Sequence, residues 1–216
     1  MKKIDIDKNL SKIDLLKFCY RKIIKLIRGN IIFLFHKGSR KIYVGEKTQL
    51  RNKRYIKFNG KIVINDYVEI DGLSINGICF GDNINIGKYS IIRASGRIAQ
   101  LGKGIKIGNN FSCGDFCFFG SAGGIEIGDD VIMGQCVRFH AQNHKYQGKE
   151  LIRNQGVENK GIKIGNNCWI GSGVVFLDGV TIGDGCVIGA NSVVTHDFPD
   201  NSVVVGYAAK MIKKRF

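Results

Sequence analysis

From Ile164 onward an aliphatic or aromatic residue recurs every six positions, at Ile164, Ile170, Phe176, Ile182, Ile188 and Val194. An α-helix returns to the same face every 3.6 residues and a half-buried strand alternates every two, so neither element carries this period alone. A prism does. If each hexad is a short strand plus a corner, three hexads close a triangular coil of about 18 residues, and successive coils stack by parallel pairing into a solenoid. The spacing predicts that the recurring apolar residue points to the prism axis. Glycine follows it at Gly165, Gly171, Gly183 and Gly189, and Asn and Asp cluster nearby, where tight corners call for residues that tolerate left-handed torsions. The same phrase occurs earlier, at Phe80-Gly81, Ile86-Gly87, Ile107-Gly108, Cys113-Gly114, Phe119-Gly120, Ile127-Gly128 and Met133-Gly134. Cys168 and Cys186 lie 18 residues apart, which predicts that they stack in successive coils as small core residues.

The stretch KGIKIGNNCWIGSGVVFLDGVTIGDGCVIGANSVVTHDFPDNSVVVG resembles the hexapeptide-repeat left-handed β-helix acyltransferases, within the maltose, galactoside and polysaccharide O-acetyltransferase branch. The resemblance covers roughly residues 60–216, and the phrases NNCWIG and VIGANSVVT are family wording beyond the bare repeat. One departure is visible: that family commonly writes GNPAK near the C-terminus, where this chain has Gly206-Tyr207-Ala208-Ala209-Lys210. The expected fold is an all-β solenoid, a left-handed parallel β-helix spanning 59–216, behind a basic N-terminal segment, 1–58, that contains a helix.

The hexads stop between Phe139 and Ile164, where the chain reads HAQNHKYQGKELIRNQGVENKGIK. A loop that leaves a rigid scaffold is a favoured place for chemistry, because the scaffold positions it while the loop closes over substrate. The resemblance implies that this loop, 140–163, is catalytic and that His144, just after Asn143, is the base. The chemistry asks for such a residue independently. A sugar hydroxyl is too weak an acid to attack a thioester unaided near neutral pH, so a neutral imidazole must take its proton as attack proceeds.

Further site residues follow from the resemblance. Asp115, His140, Asn143 and Trp169 are assigned to the acceptor, Asp115 as a carboxylate able to hold sugar hydroxyls. Ser172, Ala190, Thr195, Lys210 and Lys213 are assigned to acetyl-CoA, the first two as small residues beside the pantetheine and the lysines as cations for the phosphates. Asp115 is also an ordinary corner residue, and the lysines also read as a solvated tail. His36 and His196 read as structural, with a weak cofactor role open for His196. No metal is expected. The implied activity is O-acetylation of a sugar hydroxyl on a bacterial surface polysaccharide, or its precursor, by direct transfer from acetyl-CoA in a homotrimer whose neighbouring solenoids complete each site. N-acetylation of an amino-sugar nucleotide is the alternative of the same chemistry. A metal-dependent hydratase resembling the gamma carbonic anhydrases is the alternative of another class and needs three converging histidines.

Charge separates the chain into two parts. Residues 1–57 hold 17 Lys and Arg against 4 Asp and Glu, whereas the remaining residues hold 16 against 14. The formal charge of +15 therefore belongs to the N-terminal segment and does not mark the body as a nucleic-acid binder. Within 14–36, Leu15, Leu16, Phe18, Cys19, Ile23, Ile24, Ile27 and Ile31 fall close to helical spacing among Lys17, Arg21, Lys22, Lys25 and Arg28, which predicts a basic amphipathic helix. Such a helix can lie on an anionic membrane or cap the open end of the solenoid, and both can hold at once. Seven cysteines, an odd number without a CxxC pair, together with no apolar signal segment, give the expectation of a cytoplasmic protein with reduced thiols, peripheral at the inner membrane if the helix binds lipid.

Overall fold

A computed structural model describes residues 7–33, 41–95 and 98–216. Short parallel strands wind through three faces of a left-handed prism. Among the described residues the first face holds nine strands, from Ile42–Val44 to Ser202–Val205 and then Lys210–Lys214; the second holds seven and the third six. All pairs between coils are parallel; the C-terminal strand instead runs antiparallel along Ser202–Val205 and covers the edge of the first face.

The axis is filled as the hexads predict. Ile164, Ile170, Phe176, Ile182, Ile188 and Val194 are all buried, and on the second face Phe119, Phe139 and Phe176 stack with centroids 5.1 and 4.8 Å apart. Cys168 and Cys186 do stack in the core, since Trp169 pairs with Val187 and both thiols are buried. The hydrogen bond with Cys186 and burial hold the Cys168 thiol protonated, well above the ordinary thiol range.

The corners explain the Asn and Asp of the repeat. Where the third face turns into the first, the side chain of Asp82 accepts the Lys61 amide of the coil before it. Asn109 accepts that of Asp82, Asp129 that of Asn109, Asn166 that of Asp129 and Asp184 that of Asn166. The next residue in each case, Asn83, Asn110, Asp130, Asn167 or Gly185, has positive φ. One column of side chains thus satisfies corner amides that no strand pairs.

Two expectations change. Coils of 18 residues hold for the step from Trp169 to Val187, but Ile42 pairs with Ile62, 20 residues on, because extra residues are taken up in longer corners. The solenoid also starts at Ile42 rather than at 59: Ile42–Val44, Gln49–Arg51 and Ile56–Phe58 form a first coil on the three faces. That coil carries the apolar-Gly phrase once, at Val44-Gly45, and is otherwise rich in Lys and Arg, so its pairing rather than its wording places it in the prism.

The expected helix spans Lys12–Ile32 and is capped by Ser11, whose hydroxyl accepts the Asp14 amide at 3.1 Å. Residues 34–36 of the expected segment, His36 included, lie outside the described residues. The second half of the helix docks on the first coil. Gly29 makes this possible, because a methyl group there would collide with the carbonyl oxygen of Ile42. Arg28 donates to the Val44 carbonyl at 2.9 Å, Lys25 reaches Asn65 and Asp66 at 2.9 and 3.4 Å, and Phe33 packs edge-on against Phe58. Capping of the solenoid end is therefore one role of this helix.

Candidate functional site

Two insertions leave the prism at one corner, where the second face turns into the third. The longer runs between Arg138–His140 and Ile162–Ile164, inside the expected bounds of 140–163; the shorter lies between Ile91–Arg93 and Ile105–Ile107 and was missed in the sequence. The widened gap between Ile92 and Ile105 was its signal. Lys103 of the shorter insertion donates to the Asn159 carbonyl of the longer at 3.4 Å, so the two meet.

His144 stands at the start of the longer loop. Asn143–His144 pairs antiparallel with Val157–Glu158, and this small hairpin holds both residues at the surface. Among the described residues the His144 side chain makes no hydrogen bond or ion pair, so its ring nitrogens are open to an incoming ligand. His140 is placed differently, at the end of a strand rather than in the loop. Its ring lies 5.5 Å from that of Phe118, and partial withdrawal from water, then the Arg138 guanidinium, hold its pKa below the ordinary 6.5.

Along the second face, Arg93, Gly120 and His140 occupy the same rung of three successive coils. Glycine in the middle leaves a notch of about 230 Å³ lined by Arg93, Ser95, Phe118, Ser121, His140 and Gln142. Arg93 is tied to Glu69 at 3.3 Å, which fixes its guanidinium at the mouth. Sequence reasoning missed Arg93, because it meets His140 only through the pairing register. The depressed pKa of His140 carries a sign. Neutral imidazole is favoured in the fold, so His140 adds nothing to the pH dependence of stability above pH 6.5, and a penalty sets in as pH falls below it and the unfolded chain protonates first. A proton NMR titration is expected to find the His140 midpoint below 6.5, moving upward in Arg138→Gln as the cation is removed.

The remaining expected residues fall elsewhere. Asp115, Ser172 and Ala190 line the corner between the first and second faces, and Asp115 accepts the Lys88 amide at 2.7 Å, the role of a corner residue. Thr195 follows Val193–Val194 at the corner that carries the loops, with its hydroxyl 3.2 Å from His196. Trp169, Lys210 and Lys213 are exposed on the first face, Trp169 between Ile132 and Val187. One chain therefore does not bring Asp115, Trp169, Ser172, Ala190, Lys210 or Lys213 to His144: Asp115, Ser172 and Ala190 stand at the other end of the second face, and Trp169, Lys210 and Lys213 on the first face. Among the described residues no three His, Cys, Asp or Glu side chains converge as metal ligands.

Residues 161–196 match the family described as bacterial transferase hexapeptide (six repeats). Galactoside O-acetyltransferase of Escherichia coli (strain K12) is 40% identical over 115 residues, covering 53% of this chain and 56% of that protein. A Schizosaccharomyces pombe protein provisionally named an acetyltransferase is 42% identical over 116 residues, 53% of this chain and 55% of its own. The chain thus spans about half the length of the curated relatives it matches. In fold, it is similar to a point mutant of AntD, an N-acyltransferase from Bacillus cereus in complex with dTDP and coenzyme A, with TM-score 0.62, 18% identity and coverage of 87% of this chain and 89% of that one. Its hexads, its three parallel faces and this likeness in fold make the chain a left-handed β-helix, and residues 161–196 match the bacterial transferase hexapeptide repeat.

Proposed function

We propose that this protein transfers the acetyl group of acetyl-CoA to a hydroxyl of a bacterial surface polysaccharide or its precursor, with His144 as general base. The observation that carries the reading is the unpartnered His144 imidazole on a hairpin at the corner where both loops leave a rigid prism. Likeness to a galactoside O-acetyltransferase over 115 residues supports oxygen rather than nitrogen as the acceptor atom.

In this reading neutral His144 takes the proton of the sugar hydroxyl as its oxygen bonds to the thioester carbon. The transient oxyanion collapses, the carbon–sulfur bond breaks, and the imidazolium returns the proton to the departing CoA thiolate. No covalent enzyme intermediate is needed, because the thioester is already activated. The notch beside His140 lies next to the acceptor path and supplies Arg93 and Gln142 as polar contacts. Acetyl-CoA lies between neighbouring prisms of a trimer. The separation of Ser172 and Ala190 from His144 across the second face supports this, since a second copy is what brings the two corners together.

The test is to incubate the full chain with acetyl-CoA and candidate glycans, reading free thiol and the mass of the product. Thiol release with a hydroxyl acceptor and gain of one acetyl group on oxygen is the expected result, and sedimentation should give the mass of three chains. Release only with amino-sugar nucleotides would replace the reading with N-acetylation. A monomer that turns over at full rate would end the shared site.

A further inference from the structure

The docked helix has a second face. Lys25, Arg28, Gly29 and Ile32 meet the prism, whereas Ile13, Leu16, Tyr20, Ile23, Ile27 and Ile31 recur at spacings of three and four on the other side. Each of these six is at least half exposed, from 50% for Ile27 to 69% for Leu16 and Ile31. At a rise of 1.5 Å per residue they form an apolar stripe about 27 Å long. No described helix is long and apolar enough to cross a membrane.

The surroundings of the stripe are basic. The helix carries six Lys and Arg against the single acid Asp14, and exposed Lys41, Lys47, Arg51, Lys53, Arg54 and Lys57 of the first coil ring the same end of the prism. Like charge opposes packing two such helices together, while anionic headgroups are attracted by the ring as the stripe enters the acyl boundary. We propose that this end of the prism rests on an anionic lipid bilayer, with Leu16, Tyr20, Ile23 and Ile27 inserted and Lys12, Lys17 and Arg21 at headgroup level. Docking of the opposite helix face then holds the prism upright on the membrane. This inference uses no part of the acetyl-transfer reading.

The experiment is co-sedimentation of the full chain with phosphatidylglycerol–phosphatidylcholine vesicles and with pure phosphatidylcholine vesicles, at low and high salt. The expected result is binding to the anionic vesicles, at least about tenfold weaker on the neutral ones and weakened by salt. Leu16→Glu combined with Ile23→Glu should lose that binding by a similar factor while circular dichroism and sedimentation mass stay unchanged, because both side chains are exposed. Lys12→Glu with Lys17→Glu should weaken binding mainly at low salt. Full-length protein that ignores anionic vesicles at low salt overturns the proposal. So does a wild-type assembly that falls apart in the double Glu variant, which would make the stripe a contact between copies of this chain.

Discussion

His144→Ala is expected to lower acetyl transfer by roughly 100- to 10,000-fold, the span that general-base catalysis covers. The fold should survive, since the side chain is exposed and its backbone pairing with Val157 does not depend on the ring. Binding of CoA, measured by calorimetry, should be within about twofold of wild type, because the base acts on the acceptor proton and not on the donor. The loss should appear in kcat rather than KM. His140→Ala should cost far less, because His140 lines the notch without standing in the loop. Equal turnover of His144→Ala and wild type would remove the assignment, and a larger loss in His140→Ala would move it to the neighbouring ring.

The second large effect concerns the scaffold. Phe139 is buried between Phe119 and Phe176, near-parallel to both, at interplanar angles of 11° and 18°. Phe139→Ala leaves a cavity on the axis that rigid coils above and below cannot close, and is expected to cost about 3–5 kcal/mol of unfolding free energy. The strand Arg138–His140 also leads directly into the loop, so the variant should lose activity even where it stays folded. Urea denaturation followed by circular dichroism measures the first effect, with Lys163→Ala on the exposed third face as a control expected to shift by less than about 0.5 kcal/mol. A Phe139→Ala midpoint equal to that of the control would mean that the aromatic column does not carry the stability of the prism.

What the residues alone determined is what repeats locally. Period six, the inward column from Ile164 to Val194, the stacked Cys168 and Cys186 and the Asn and Asp corners are read from short windows, because each hexad sees only its own strand and the coil beside it. The loop after Phe139 was legible for the same reason: a break in a strict period is itself a local signal. The tertiary structure decided everything that depends on which coil lies next to which. Arg93 meets the His140 notch through Gly120 only after coils of unequal length have fallen into register, with 27 residues from Arg93 to Gly120 and 20 from Gly120 to His140. The coil Ile42–Phe58 shows the phrase once, at Val44-Gly45, too little to extend a period of six, and pairing with the next coil is what places it in the prism. Asp115 and His144 belong to different corners, a fact hidden from a linear motif because a prism separates neighbours by face rather than by distance along the chain. The helix shows the same division. Its amphipathic period was local, but which face it buries was set by Gly29 closing on Ile42 and by Arg28 reaching Val44, contacts that exist only once the first coil has formed.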